Sequence, residues 1–191
     1  RKQQPLSLNN ASATDSFRGQ SSVEAASSHK TSDFVVTPPL YLSGPKNENT
    51  LRLMRVADTS PKDRETLYYF IAKAIPSIDD KKVAGSQVLH IATATKIKLL
   101  VRPKGLTPAP DEASSLLTFR HQGEQLIINN PSPYYITMTD LHIGSKTIKV
   151  MMAPPHGDVS APFPAGGGNK VSFHTINDYG AQTKAQDALI K

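Results

Sequence analysis

Apolar and polar positions alternate with a period of two along most of this chain, a pattern that predicts strands from end to end. The longest such run is Gln87 to Pro103, Q-V-L-H-I-A-T-A-T-K-I-K-L-L-V-R-P, rich in Val, Ile, Leu and Thr and stopped by a proline. At roughly 3.3 Å per residue it would reach about 50 Å, well beyond an ordinary strand. Its second half alternates Ile97, Leu99 and Val101 with Lys96, Lys98 and Arg102, as a core-facing strand with a charged reverse side does. Its first half carries Val88, Leu89, Ile91 and Thr93, and is expected to project toward something other than its own domain.

The remaining runs are shorter. Leu6 and Leu8 alternate as in a strand, and Phe34 to Leu42 is a strand broken by Pro38-Pro39. Proline lacks the donor of a central ladder, so that run is an edge or a strand that changes sheets. Asn49 to Val56 alternates, and Thr66 to Ile75 is apolar on both faces, as in a central strand. Beyond Arg102-Pro103-Lys104-Gly105, a Pro/Gly-punctuated boundary, strands are expected at Leu116–Arg120, Gln125–Asn129, Tyr134–Ile143, Lys146–Met152, Val159–Phe163 and Lys170–Asn177. No 3.6-residue period of helical length stands out. The expected fold is all-β, two immunoglobulin-like sandwiches, over residues 1–103 and 107–191.

Composition narrows the function. Fifteen prolines and eleven glycines suit many short strands joined by tight turns. Apolar residues make up 38 % of the chain, and no apolar run is long enough to span a membrane. The net charge of +6 is scattered rather than clustered among aromatics, which argues against nucleic-acid binding. With no cysteine there are neither disulfides nor thiolate metal sites. The six histidines lack ligand spacing, Gly166-Gly167-Gly168 is not followed by the Lys-Ser/Thr of a phosphate loop, and no nucleophile motif occurs. No catalytic residue, metal site or cofactor is therefore expected.

Seven ordered segments carry a family resemblance: F-V-V-T-P-P-L-Y (34–41), E-N-T-L-R-L (48–53), P-K-D-R-E-T-L-Y-Y-F (61–70), K-A-I-P-S (73–77), I-A-T-A-T-K-I-K-L-L-V-R-P (91–103), N-P-S-P-Y-Y-I-T-M-T-D-L (130–141) and T-I-N-D-Y-G-A (175–181). Together they resemble the PapD-like periplasmic pilus chaperones, in particular the FimC kind, over residues 34 to 182. The resemblance implies a non-enzymatic periplasmic protein of the chaperone-usher pathway. It would bind pilus or fimbrial subunits by donating strand 87–97, deliver them to an outer-membrane usher, and leave self-association open when idle. It also implies roles for particular residues. Lys98 would bind the subunit's C-terminal carboxylate, and Leu89, Ile91 and Thr93 would enter a groove on the subunit. Glu65, Arg102 and Asp178 would form an ion-pair network between the domains. The short loop Pro76–Gln87 is similar to that of chaperones of thick, rod-like pili.

Three departures from the family pattern stand beside this. Arg1 aligns after the family's first strand, which carries the arginine partner of the lysine anchor. Thr93 stands where the family has a large apolar residue. Phe17–Glu24 aligns with a strongly apolar strand but places Arg18, Gly19 and Ser22 at apolar positions, and such a strand could not fill half a sandwich core. Strict alternation also puts Leu89 and Ile91 on the face opposite Lys98, so a twist or bulge is expected between Thr93 and Lys96. The alternative is a structural or adhesive fimbrial subunit, which should show an alternating apolar donor extension at its N-terminus; residues 1–16 do not.

Overall fold

A computed structural model describes residues 3–77 and 91–191. The chain forms two compact units, one of Arg1–Ser60 with Thr66–Val101 and one of Pro61–Glu65 with Arg102–Lys191. Pro61–Glu65 thus belongs with the second unit, although it precedes strands of the first.

The first unit packs two antiparallel sheets. One has the order β1-β5-β3, from β1 (Gln3–Asn9), β5 (Glu48–Arg55) and β3 (Phe34–Thr37). The other has the order β4-β2-β6-β7, from β4 (Leu40–Ser43), β2 (Phe17–Ala25), β6 (Thr66–Pro76) and β7 (Thr93–Val101). Pro38-Pro39 is where the chain changes sheets: β3 pairs with β5 and β4 with β2. The apolar run of β6 is explained by its place between β2 and β7. The core consists of Val23, Val36, Leu51, Leu53, Tyr68 and Phe70, with Leu6, Leu8, Tyr41, Ala72, Leu99 and Val101 packed against it.

The second unit packs β13-β9-β8 against a sheet ordered β11-β10-β14-β15, with β12 also on β10. These are β8 (Thr118–Gln122), β9 (Gln125–Asn130), β10 (Ile136–Ile143), β11 (Lys146–Ile148), β12 (Met151–Ala153), β13 (Gly157–Pro162), β14 (Lys170–Thr175) and β15 (Gln186–Leu189). Phe119, Leu126, Ile128, Ile136, Met138, Leu141, Ile143, Val171 and Phe173 fill the space between the sheets.

Several expectations are corrected here. Leu116 ends a short 3-10 helix, Ala113–Leu116, and the strand begins at Thr118. The run Lys146–Met152 is two strands, because β11 and β12 pair with different stretches of β10. β15 was not anticipated. The long run beginning at Gln87 is described as a strand only over Thr93–Val101, and residues 87–90, including Leu89, lie outside the described residues. Most of the loop read at 76–87 does too.

Candidate functional site

β7 is the edge of its sheet. Among the described residues it pairs only with β6, in a register that runs unbroken from Thr66↔Val101 to Ala74↔Thr93. Its odd-numbered residues lie on the same face as Tyr68 and Phe70 of β6, the core face. Leu99 and Val101 accordingly pack on the core. Farther toward the start of the strand that face loses its cover: Ile97 is 45 % exposed and Thr95 and Thr93 are exposed, while Ile91, just ahead of the strand, is 64 % exposed. One strand thus passes from core element to uncovered edge within nine residues.

The even-numbered residues lie on the outer face. Lys96 stands over the Tyr69 ring at 4.2 Å and approaches Glu24 at 3.9 Å. Lys98 is exposed and opposite Tyr69 in the ladder. The bulge expected between Thr93 and Lys96 is absent from this register. Lys98 and the row of Thr93, Thr95 and Ile97 stay on opposite faces, so a partner that met both would have to lie along the edge and reach round it on each side.

Glu65, Arg102 and Asp178 do come together, and all three belong to the second unit. Arg102 donates from Nε to Glu65 Oε1 at 2.7 Å, and from Nη1 and Nη2 to the two Asp178 oxygens at 2.5 and 2.7 Å. The forked guanidinium suits this double engagement. Its plane also sits 5.0 Å from the Tyr134 ring. Glu65 is 2 % exposed, and its other oxygen accepts from the Tyr135 backbone N–H at 2.8 Å. The Glu65 N–H in turn donates to the Pro133 carbonyl at 2.9 Å. The Asp178 bond, and then the Glu65 bond, push the Arg102 guanidinium above its ordinary value, although burial opposes this. The same bond to Arg102 holds the Asp178 carboxyl below the usual carboxylate value.

The turn that presents Tyr135 is held by a residue that sequence reasoning passed over. Asn130 is fully buried. Its amide donates to the carbonyls of Tyr134 (2.7 Å) and Pro154 (2.9 Å), and its oxygen accepts from the Ser132 N–H and hydroxyl. The signal was N-P-S-P at 130–133, quoted above only as the start of a family segment. A short amide just ahead of Pro131 and Pro133 is well suited to satisfy the carbonyls that proline-rich backbone leaves open.

Among the described residues no group of three or more His, Cys, Asp or Glu could hold a metal, and no helix is long and apolar enough to cross a membrane.

Two all-β units, the first with an edge strand unpaired among the described residues and the second with a charge network built on the buried Glu65, define a class of immunoglobulin-like two-domain proteins. Comparison with known proteins identifies the family. Residues 1–107 match the N-terminal domain of the PapD pili and flagellar-assembly chaperones, and residues 112–187 match the C-terminal domain of the PapD pili assembly chaperones. The chaperone protein FocC of Escherichia coli is 40 % identical over 192 aligned residues, covering all of this chain and 84 % of FocC. FimC of Escherichia coli K12 is 39 % identical over 191 residues, again covering all of this chain and 79 % of FimC. Among solved structures, the Salmonella enterica SafA pilin in complex with the SafB chaperone matches with a TM-score of 0.88 at 27 % identity, covering 98 % of this chain and 89 % of that one. The chain belongs to the PapD-like family of pilus assembly chaperones.

Proposed function

We propose that this protein is a non-enzymatic periplasmic chaperone. It captures pilus subunits by adding β7 to them as a strand, and it passes them to an outer-membrane usher. The observation that carries this reading is the state of β7: among the described residues its outer edge is unpaired, and Thr93, Thr95 and Ile97 of its core-side row, with Ile91 just ahead of the strand, stand in solvent. A protein that exposes such an edge risks self-aggregation unless the edge serves a partner. A sandwich lacking one strand has the complementary problem, an open groove and an unpaired edge of its own. Pairing β7 into that gap satisfies both, with backbone bonds supplying affinity and alternate side chains supplying fit. Each Ile fully buried in this way contributes roughly 1.5–3 kcal/mol.

Lys98 serves as the anchor. An ammonium on the outer face of the same strand can donate a charge-assisted bond to the subunit's terminal carboxylate, about twice as strong as a neutral one. Glu65 and Arg102 lie where the chain passes between the units, after Ser60 and after Val101. Their ion pair ties those two crossing segments together.

Co-expression with a cognate pilin tests the reading. Wild-type protein is expected to yield a soluble complex, and Lys98→Ala and Ile91→Glu are expected to yield none, with the free variants still folded by circular dichroism. Wild-type yields from both variants would end the strand-lending reading.

A further inference from the structure

The inner face of the β4-β2-β6-β7 sheet changes character along its length. Where it faces Leu51 and Leu53, its rows read Val23, Phe70, Ile97 and Ala25, Tyr68, Leu99. Two rows farther on they read Ser21, Ala72, Thr95 and then Tyr41, Gly19, Ala74, Thr93. These side chains are too small to fill a sandwich. A cavity of about 340 Å³ lies there, with Leu8, Phe17, Tyr41, Ala72, Ala74 and Thr95 among its lining residues. The Tyr41 ring already occupies the place of the missing side chain at Gly19, where a Cβ would collide with it. Among the described residues, Thr93 and Thr95 of β7 also line the cavity.

The polar groups around this cavity do not call for a polar ligand. Asn49 Nδ2 donates to Ser43 Oγ at 2.6 Å. Asn10 Nδ2 donates to the carbonyls of Asp15 and Gly44, both at 2.8 Å, and Asn10 Oδ1 accepts from the Ser12 N–H at 3.0 Å. With these groups engaged in the fold, Leu8, Phe17, Ala72 and Ala74 supply apolar surface, beside Lys73, Thr93 and Thr95 in the same lining. Cavities of about 150 Å³ with apolar walls take a benzene ring, so one more than twice as large takes an aromatic or long aliphatic side chain. Pockets of this size and lining are where proteins bind apolar groups.

We propose that this cavity receives a large apolar side chain of the pilus subunit bound along β7. The inference rests on the strand-lending reading. Thr93 and Thr95 form a wall of the cavity and belong to the uncovered row that the subunit would cover, so the cavity and the strand's open face are one continuous surface. A subunit seated on that row places its own core residues at the cavity mouth. Exchange would then run in both directions: β7 gives side chains to the subunit's groove, and the subunit gives one back to the unfilled end of the chaperone's core. Small residues at 72, 74, 93 and 95 become a determinant of which subunits fit.

Two variants test this, Ala72→Leu and Ala74→Leu, each filling the cavity from β6 beside Thr95 or Thr93 and leaving the residues of β7 itself unchanged. The pilin co-expressed with each variant is purified as its complex and challenged with labelled wild-type chaperone. Filling the cavity is expected to make the complex roughly 10- to 100-fold weaker, read as faster replacement, while the free variants melt at or above the wild-type temperature. Replacement at the wild-type rate by both variants overturns the proposal and leaves the cavity a packing void. Loss of self-association with unchanged pilin retention also overturns it, and assigns the cavity to a second copy of the chain. Ile91→Glu run in parallel separates the two ideas. If it abolishes capture while the leucine variants do not, only the cavity inference fails; if it too captures normally, the strand-lending reading fails.

Discussion

In the second unit Leu126, Ile128, Met138, Leu141, Ile143, Ala153 and Val171 are wholly removed from solvent, whereas among the described residues of the first unit only Leu51 is. Both units are antiparallel sandwiches, and they differ in how far the space between sheets is filled. β10 and β14 of the second unit bring Ile, Met, Leu, Val and Phe to their inner faces. β2 of the first brings Gly19, Ser21 and Val23. Burial at about 25 cal/mol per Å² of apolar surface then places more of the stabilising area in the second unit. The first keeps an under-filled end and an open edge at the same place. A surface that must accept a foreign strand cannot already be satisfied by its own core, so low local stability at that end goes with the proposed work.

The largest expected effect falls on the better-packed unit. Glu65→Ala leaves the partly buried Arg102 without one carboxylate and the Tyr135 N–H without its acceptor. Breaking a buried pair in this way costs about 3–5 kcal/mol. Denaturant titration should show the transition of the second unit moving to markedly lower midpoint. A shift of under a tenth of that size would mean that water replaces the carboxylate readily and that the network is not what holds Pro61–Glu65 in place.

The contrast in packing gives the next effect, and here the two units should respond with opposite sign. Ala153 lies on β12 at 0 % exposure in a filled core, so Ala153→Leu must displace neighbours and cost about 1–3 kcal/mol. Ala72→Leu adds the same three carbons beside a cavity of about 340 Å³, and is expected to be neutral or stabilising. Paired melting curves decide the matter. Equal destabilisation by both substitutions would show that the cavity closes up in solution and that the two cores are packed alike.

Much of this was legible in the pattern of residues, and the parts that were not share a cause. Pro38-Pro39 announced a change of sheet because proline's missing donor is a local fact. Gly19 on the inner face of β2 announced missing volume because side-chain size is also local; Arg18 and Ser22, grouped with it in that reading, point away from the core, and the inward Ser21 was not part of it. Glu65, Arg102 and Asp178 were found together through family resemblance, and nothing in their spacing brings residues 65 and 178 into contact. The Tyr135 N–H that completes Glu65 was invisible, since every residue but proline has such a donor. β15, Q-D-A-L, was missed because a short edge strand needs only Ala188 to touch the core. The split of Lys146–Met152 depends on how β10 runs beside it, which is a tertiary fact. Leu89 lies outside the described residues, and the bulge predicted from strict alternation gave way to an unbroken ladder, because an edge strand can offer both faces to a partner without one.

The smallest effect concerns acid. Asp178 has its carboxyl pKa lowered in the folded protein, first by the hydrogen bond from Arg102 and also by that cation's charge. A carboxylate with a depressed folded pKa binds protons more readily in the unfolded chain. Its contribution to stability is therefore complete above the unfolded value, about 3.9, and is lost as pH falls through the folded one. Asp178 is 53 % exposed, so solvent screens the pair and the contribution is modest. Asp178→Asn should lower the stability of the second unit slightly at neutral pH and flatten its decline between about pH 5 and pH 2, with the first unit's acid response unchanged. Stability curves for wild type and variant that stay parallel across that range would show that Glu65 alone satisfies Arg102, and that Asp178 is an incidental neighbour of the buried pair rather than its third member.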